Sequence, residues 1–306
     1  MNIYPQNQLN LYGIEEHLQI LISLFDKGIL PNKILLTGQK GVGKCTLAYH
    51  LINYILSKDE EYSYDINNFK INSNNRSFKL IANGSNPNFE LIDISIDKKQ
   101  INIDQIRNLL TNIRKSSFNN KPRFILIDNT EYLNKSSINA LLKDLEEPNH
   151  KIYFILINNQ KKLLSTLKSR CLNFNITLSN ASSLTVINRL INDNIFNYIN
   201  KELINYYFTP GNIYNLHRMA YKNEIDLKDI KLKDFLNKII KENYYKKEIT
   251  LKYLFIDYIE FFLKNTYTML NINYYNYFIK KIDNLKKYNL DEESFFIEFQ
   301  DKILNG

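Results

Sequence analysis

Cysteine is scarce. Cys45 and Cys171 are the only thiols in 306 residues. They stand far apart, so they build neither a disulfide framework nor a zinc site, and a reducing, cytoplasmic setting is expected. No run of about 18 apolar residues occurs, which excludes an ordinary membrane-spanning helix and argues against a membrane partner. The opening Met1-Asn2-Ile3-Tyr4-Pro5-Gln6-Asn7-Gln8 lacks the basic-then-apolar order of a secretory leader, so none is expected. There is no internal repeat. What is present is a hydrophobic fraction of 44%, ordinary for a globular chain, and enough length for two or three domains. The formal net charge is +8. A basic balance suits a nucleic-acid partner. Abundant Asn, Lys, Ile and Tyr, all with A/T-rich codons, account for it equally well, and net charge speaks to non-specific binding rather than to fold.

The most informative stretch is Gly38-Gln39-Lys40-Gly41-Val42-Gly43-Lys44-Cys45-Thr46. Its spacing is that of a phosphate-binding loop: glycine, four residues, Gly-Lys, then a hydroxyl residue. Gly38, Gly41 and Gly43 let the backbone curl so that its amides face an anion. Lys44 reaches the outer phosphates as a point charge. Residues 33–37 read as an apolar strand before the loop. Leu47, Ala48, Leu51, Ile52 and Ile55 repeat at helical spacing after it. A strand, a glycine-rich turn and a helix N-terminus bind phosphate through amides and dipole. Cys45 departs from the pattern. It stands where a hydroxyl would ligate magnesium, and a thiol is a poor ligand for so hard a cation. Thr46 has a hydroxyl, but it lies about 100° further round the helix and is expected to point elsewhere. The plain account of Cys45 is a small, part-buried residue. The nucleotide-binding candidates are Gly38, Gly41, Val42, Gly43, Lys44, Cys45 and Thr46. No residue is assigned to a metal.

A second motif, Arg123-Phe124-Ile125-Leu126-Ile127-Asp128, is a buried strand ending in a carboxylate, which fits a metal-binding aspartate of the Walker B type. An active ATPase of this kind carries glutamate next, to polarise the attacking water. Here the residue is Asn129, an amide that cannot accept a proton. Glu131 is two residues on and is expected to face away. Then come Asn139-Ala140-Leu141-Leu142-Lys143-Asp144-Leu145-Glu146-Glu147-Pro148, an apolar strand over 151–158 ending in Asn158, and Leu167-Lys168-Ser169-Arg170-Cys171.

This succession resembles the clamp-loader branch of the AAA+ ATPases over about 180 residues. Within it, Leu11-Tyr12-Gly13-Ile14-Glu15-Glu16, Gly28-Ile29-Leu30-Pro31-Asn32-Lys33 and Ile101-Asn102-Ile103-Asp104-Gln105-Ile106-Arg107 are similar to the delta-prime subunits of bacterial DNA polymerase III. Such subunits commonly carry degenerate nucleotide sites. The resemblance implies ATP or ADP on the loop and Asp128, with magnesium left open, and Asn158 at the polar sensor position. A strand-terminal asparagine without function is nearly as good an account of Asn158. It implies further that Arg170 is an arginine finger acting in trans on nucleotide held by a neighbour, with Cys171 packed beneath it. The implied partners are gamma/tau-type ATPase subunits, a delta-type subunit, the sliding clamp and primer–template DNA, in a hetero-pentamer. Arg107 near a helix start could meet a DNA phosphate, though a solvated arginine is the plainer account.

Three departures stand out. The four zinc cysteines of many such subunits are missing, and an asparagine-rich stretch over about 66–88, expected to be a polar loop or a short irregular insertion, fills that interval. Asn212, in Thr209-Pro210-Gly211-Asn212-Ile213-Tyr214, stands where nucleotide-sensing relatives have arginine. The last 80 residues or so match nothing motif by motif.

The expected fold is α/β: an AAA+ parallel-sheet core over 1–177 with helices on both faces, a small helical lid over 178–225, and an all-α collar domain over 226–306. Expected strands are 33–37, 89–93, 124–127, 152–157 and 172–176. Expected helices include 105–115, with Asp104 as N-cap, and 136–147. Tyr274, Tyr275, Tyr277 and Phe278 form an aromatic cluster among lysines. Single-strand stacking is one account, and packing inside a helical bundle is the plainer one. The function expected is a clamp-loader subunit that does not hydrolyse ATP itself. The alternatives are an active ATPase of gamma/tau or other AAA+ type, and a DNA-binding scaffold without nucleotide linkage.

Overall fold

The computed structural model of the chain describes residues 4–94, 100–113, 119–146, 151–159, 165–204, 208–247, 251–266, 272–288 and 292–305. It divides into two compact units, Met1–Val186 and Ile187–Gly306.

The first unit is built on five strands: β1 (Lys33–Thr37), β2 (Phe89–Ile92), β3 (Arg123–Ile127), β4 (Ile152–Asn158) and β5 (Leu172–Asn175). Their order is β2-β3-β4-β1-β5, and every pairing is parallel. Parallel neighbours need crossovers, and the helices α2 (Lys44–Leu56), α3 (Arg76–Ala82), α4 (Ile103–Ile113), α5 (Lys135–Glu146) and α6 (Ser165–Lys168) supply them, while α1 (Glu15–Asp26) precedes β1. Strand periodicity divides the core in two. Ile34, Leu36, Phe124, Leu126, Ile155 and Ile157 pack on one face with α1 and α2 residues such as Leu18, Leu47 and Leu51. Leu35, Ile125, Ile127, Phe154 and Leu156 pack on the other with Ile106, Leu109, Leu141 and Leu145 of α4 and α5. Strands covered on both faces read as continuous apolar runs, which is how the inner strands β1, β3 and β4 appear in the sequence; the edge strands β2 and β5 are part-exposed and mixed in character. Each fully buried Leu or Ile contributes roughly 1.5–3 kcal/mol. The parallel sheet with helices on both faces is the fold class expected.

Two local expectations need correction. Asp104 does not cap α4; it lies in the first turn. Asn102 precedes the helix instead, and the Gln105 side chain accepts a hydrogen bond from its backbone N–H at 3.0 Å, one half of a capping box. The asparagine-rich stretch is also not a plain loop, because it contains α3. Asn75 caps that helix, accepting from the Phe78 N–H at 2.7 Å, and its buried side chain accepts from Asn53 at 3.1 Å. The other polar residues build turns: Asp65 accepts from the N–H groups of Asn67 and Asn68, and Asn72 from that of Asn74. Lys115, Glu147 and Pro148 lie outside the described residues.

The second unit is helical. The boundary falls inside α7 (Asn180–Ile191), and α8 (Pro210–Lys222), α9 (Leu232–Lys241), α10 (Tyr244–Lys247), α11 (Lys252–Thr266), α12 (Ile272–Tyr288) and α13 (Glu293–Phe299) follow. Thr209 caps α8 with Pro210 in the first turn, which places Asn212 at the third helical position. The core is aromatic: Phe235, Phe255, Tyr258, Phe278, Phe295, Phe296 and Phe299 are fully buried. Phe278 therefore belongs to the bundle, edge-on to Phe299. Tyr274 and Tyr277 remain on the surface. No described helix is long and apolar enough to cross a membrane.

Candidate functional site

β3, β4 and β1 are adjacent, so their carboxyl ends meet at one edge of the sheet. The register pairs Thr37 with Asn158. The glycine-rich loop starts one residue after Thr37, and Asp128 follows β3. Parallel topology alone thus gathers the loop, Asp128 and Asn158, which are far apart in sequence.

The loop's shape depends on its glycines at two points. Gly38 has φ +143°, and a Cβ there would lie 2.2 Å from the carbonyl oxygen of Ile176, closer than any side chain can approach. Gly43 has φ +104° and sits directly before α2 as its N-cap. Val42 is buried and anchors the loop in the core. Lys44 opens α2 and is almost wholly buried. Its Nζ donates to the carbonyls of Gly38 and Gln39, both at 2.7 Å, so the loop's own backbone holds the ammonium at its mouth. Burial lowers the Lys44 pKa to about 8, while the carboxylates of Asp128 and Glu131 oppose the shift.

Cys45 is the residue joined to Asp128. Burial pushes its thiol well above the ordinary cysteine range, and the nearby Asp128 charge adds to this. The S–H therefore keeps its proton and donates to the Asp128 carboxylate. Burial raises Asp128 itself to about 6, with the Asp93 charge beyond it, and the Cys45 and Asn129 hydrogen bonds hold it down. Thr46 is half-buried one position on. These residues do not fit magnesium: the hydroxyl ligand is absent, and the thiol hydrogen is committed to the aspartate meant to act through the ion.

Asn129 adopts left-handed backbone, φ +55°, a conformation asparagine tolerates better than glutamate. Its Nδ2 donates to Asp93 at 2.8 Å, and its Oδ1 accepts from Asn159 at 3.0 Å. Asn159 also donates to Glu131 at 2.9 Å. Glu131, expected to face away, instead lies where its charge acts on Lys44. Sequence reasoning passed over Asn159 and Asp93. A polar residue just after a strand, beside the Asp-Asn pair, was the available signal.

Asn158 is 3% exposed, and its Nδ2 has no hydrogen-bond partner. A buried donor without an acceptor is costly. The glycine-rich loop before α2, a buried ammonium and an orphaned donor together fit a phosphate chain.

Arg170 is not part of this assembly. β5 begins two residues later, and Leu172 pairs with Ile34 at the start of β1. Arg170 therefore lies at the amino edge of the sheet, opposite the loop. It is exposed and bonded to Glu146 and to the Thr166 carbonyl. Cys171 packs against the core beside it, its thiol raised to about 11 by burial. Arg107 is a solvated residue beside Asp104.

The family described as DNA polymerase III, delta subunit, matches residues 13–180. DNA polymerase III subunit delta′ of Buchnera aphidicola subsp. Schizaphis graminum is 28% identical over 278 residues, spanning 87% of this chain and 83% of that protein. DNA polymerase III subunit delta′ of Pseudomonas aeruginosa is 31% identical over 138 residues, 45% of this chain. The chain spans 40% of the length of the Pseudomonas relative. A DNA polymerase III gamma subunit-related protein from Thermotoga maritima shares the fold, with a TM-score of 0.51 at 15% identity over 91% of this chain and 96% of that one.

Proposed function

The chain belongs to the family described as DNA polymerase III, delta subunit, and we propose that it serves there as a delta-prime-type subunit of the clamp loader. It assembles in the cytoplasm with gamma/tau-type ATPase subunits and a delta-type subunit into a hetero-pentamer that loads the sliding clamp on primer–template DNA. Its own site binds nucleotide without hydrolysing it at a useful rate. Gly38, Gly41, Val42, Gly43 and Lys44 hold the phosphates of ATP or ADP, Thr46 and Asp128 flank them, and the orphaned Asn158 donor meets an outer oxygen. The nucleotide supplies negative charge that matches the Lys44 ammonium. The observation that carries this reading is Cys45 beside Asp128 where a metal-binding hydroxyl would stand, together with the left-handed Asn129 where the base would stand, because metal ligand and base are then lost together.

Arg170 serves the neighbouring subunit. Its place on the sheet edge opposite the loop supports action in trans. A guanidinium beside a γ-phosphate offsets charge that grows in the transition state. Such fingers contribute on the order of 10³–10⁵ in rate. In the reconstituted loader, Arg170→Ala lowers ATP turnover by roughly 10³ and leaves assembly intact by size-exclusion chromatography. Unchanged turnover removes the finger role.

Glu131 favours a second reading, an active gamma/tau-type ATPase, because its carboxylate is near enough to act on Lys44. Purified chain incubated with ATP and primed DNA separates the two. Turnover that Glu131→Gln abolishes supports the second reading, and no turnover supports the first.

A further inference from the structure

The Arg170 guanidinium is gripped by its own chain. Nε donates to Oε1 of Glu146 at 3.0 Å, and Nη2 donates to the same oxygen at 2.6 Å. Nη1 donates to the Thr166 carbonyl at 2.8 Å. Glu146 ends α5 and Thr166 lies in α6, so two helices fix one planar group. The group still reaches solvent, with 35% of the side chain exposed. An arginine carries five N–H donors in one plane. Three are engaged, and the two left, one on each terminal nitrogen, have no partner among the described residues. Donors on adjacent terminal nitrogens are the pair that donates to two oxygens of a phosphate.

Ordinary surface ion pairs contribute little because both side chains wander. Here one acceptor is a backbone carbonyl that cannot rotate away, and the other takes two donors on a single oxygen. The grip therefore sets direction more than it adds stability.

We infer that Glu146 is a positioning residue. It holds Arg170 so that the free edge of the guanidinium faces out of the subunit, ready for a nucleoside triphosphate bound by the next one. The inference rests on the proposed action of Arg170 in trans. Chemistry at a phosphate is sensitive to placement: a misplacement of about 1 Å costs on the order of 10²-fold. Because both bonds end on Oε1, glutamine can replace glutamate and keep the acceptor where it is. Position, not charge, is what Glu146 supplies.

The test uses the loader reconstituted with its ATPase subunits. Glu146→Ala lowers kcat about tenfold with KM for ATP unchanged. Glu146→Gln stays within about twofold of the unaltered chain. The double variant with Arg170→Ala is no slower than Arg170→Ala alone, because both act through one group. Binding of ADP with aluminium fluoride, a mimic of the transferring phosphoryl group, weakens in Glu146→Ala and persists in Glu146→Gln. If Arg170→Ala lowers turnover while Glu146→Ala leaves it unchanged or raises it, positioning is overturned and the finger stands. If Arg170→Ala has no effect, the reading beneath the inference falls and takes the inference with it. Should Glu146→Ala fail to assemble, Glu146→Asp decides: it keeps the charge but shortens the reach, so a loss of turnover supports positioning and full turnover overturns it.

Discussion

The carboxyl edge of the sheet and the helical second unit treat buried groups in opposite ways. At the sheet edge, Lys44 and Asp128 sit out of water with their pKa values pulled toward each other, to about 8 and about 6. Asn158 keeps a buried donor unmatched. The second unit fills its interior with phenylalanine, and its buried Tyr258 hydroxyl donates to the Leu203 carbonyl at 2.6 Å. Its charges gather at the surface. Burial works to raise the Glu298 pKa, yet hydrogen bonds from Lys281, Lys302 and Tyr277 hold it down to about 2. Polar groups that a fold buries without matching are those an incoming ligand can match. Among the described residues of the second unit no buried side-chain polar atom lacks a partner, and such an interior contributes stability and no site.

Removing a ring from the satisfied interior gives the largest expected change. Phe278 is fully buried and meets Tyr277, Phe295 and Phe299. Phe278→Ala lowers the stability of the helical unit by about 3–5 kcal/mol, read as a shift of the denaturant midpoint by circular dichroism. A loss under about 1 kcal/mol would mean that the bundle is loosely packed and that the contrast between the units is overdrawn.

The same contrast explains what could be read from the sequence. The three inner strands β1, β3 and β4 were legible because both faces of each are covered, so burial writes an unbroken apolar run, whereas the edge strands β2 and β5 are part-exposed and carry Glu90, Asn173 and Asn175. The loop was legible because phosphate binding fixes its spacing. The structure inside 66–88 was not. Asparagine caps a helix through one hydrogen bond, and composition does not reveal whether Asn75 caps α3 or lines a loop. Asp104 was placed at the N-cap, two positions before its actual place as the second helical residue, for a related reason, since a first-turn acid and an N-cap have the same composition. Glu131 was misjudged because a 3-10 turn at 130–132, after the left-handed Asn129, swings it back. The grip of Glu146 on Arg170 joins positions 24 apart, and only the packing of α5 beside α6 brings them together.

The second expected change comes from titrating the unmatched edge. Lys44 has a pKa of about 8 in the fold, so its ammonium is present at pH 7 and mostly lost at pH 9. Nucleotide affinity therefore falls as pH rises, by about tenfold between those values if only the charged form binds. Titration with a fluorescent ATP analogue measures this. Lys44→Ala should bind weakly and lose the dependence. Affinity that is level across the range would detach Lys44 from the phosphate.

The smallest change is the most direct probe of the unmatched donor. Asn158→Leu removes the orphaned Nδ2 and fills similar space at the end of β4. Because the native group is desolvated without compensation, the variant should gain roughly 1 kcal/mol of stability, while its nucleotide affinity drops. Stability and binding would then move in opposite directions at one atom, as expected where a fold carries a cost for the sake of a ligand. If Asn158→Leu instead destabilises the first unit by more than about 2 kcal/mol, the side chain is holding the end of β4 in place, and the strand-terminal account of Asn158 is the right one.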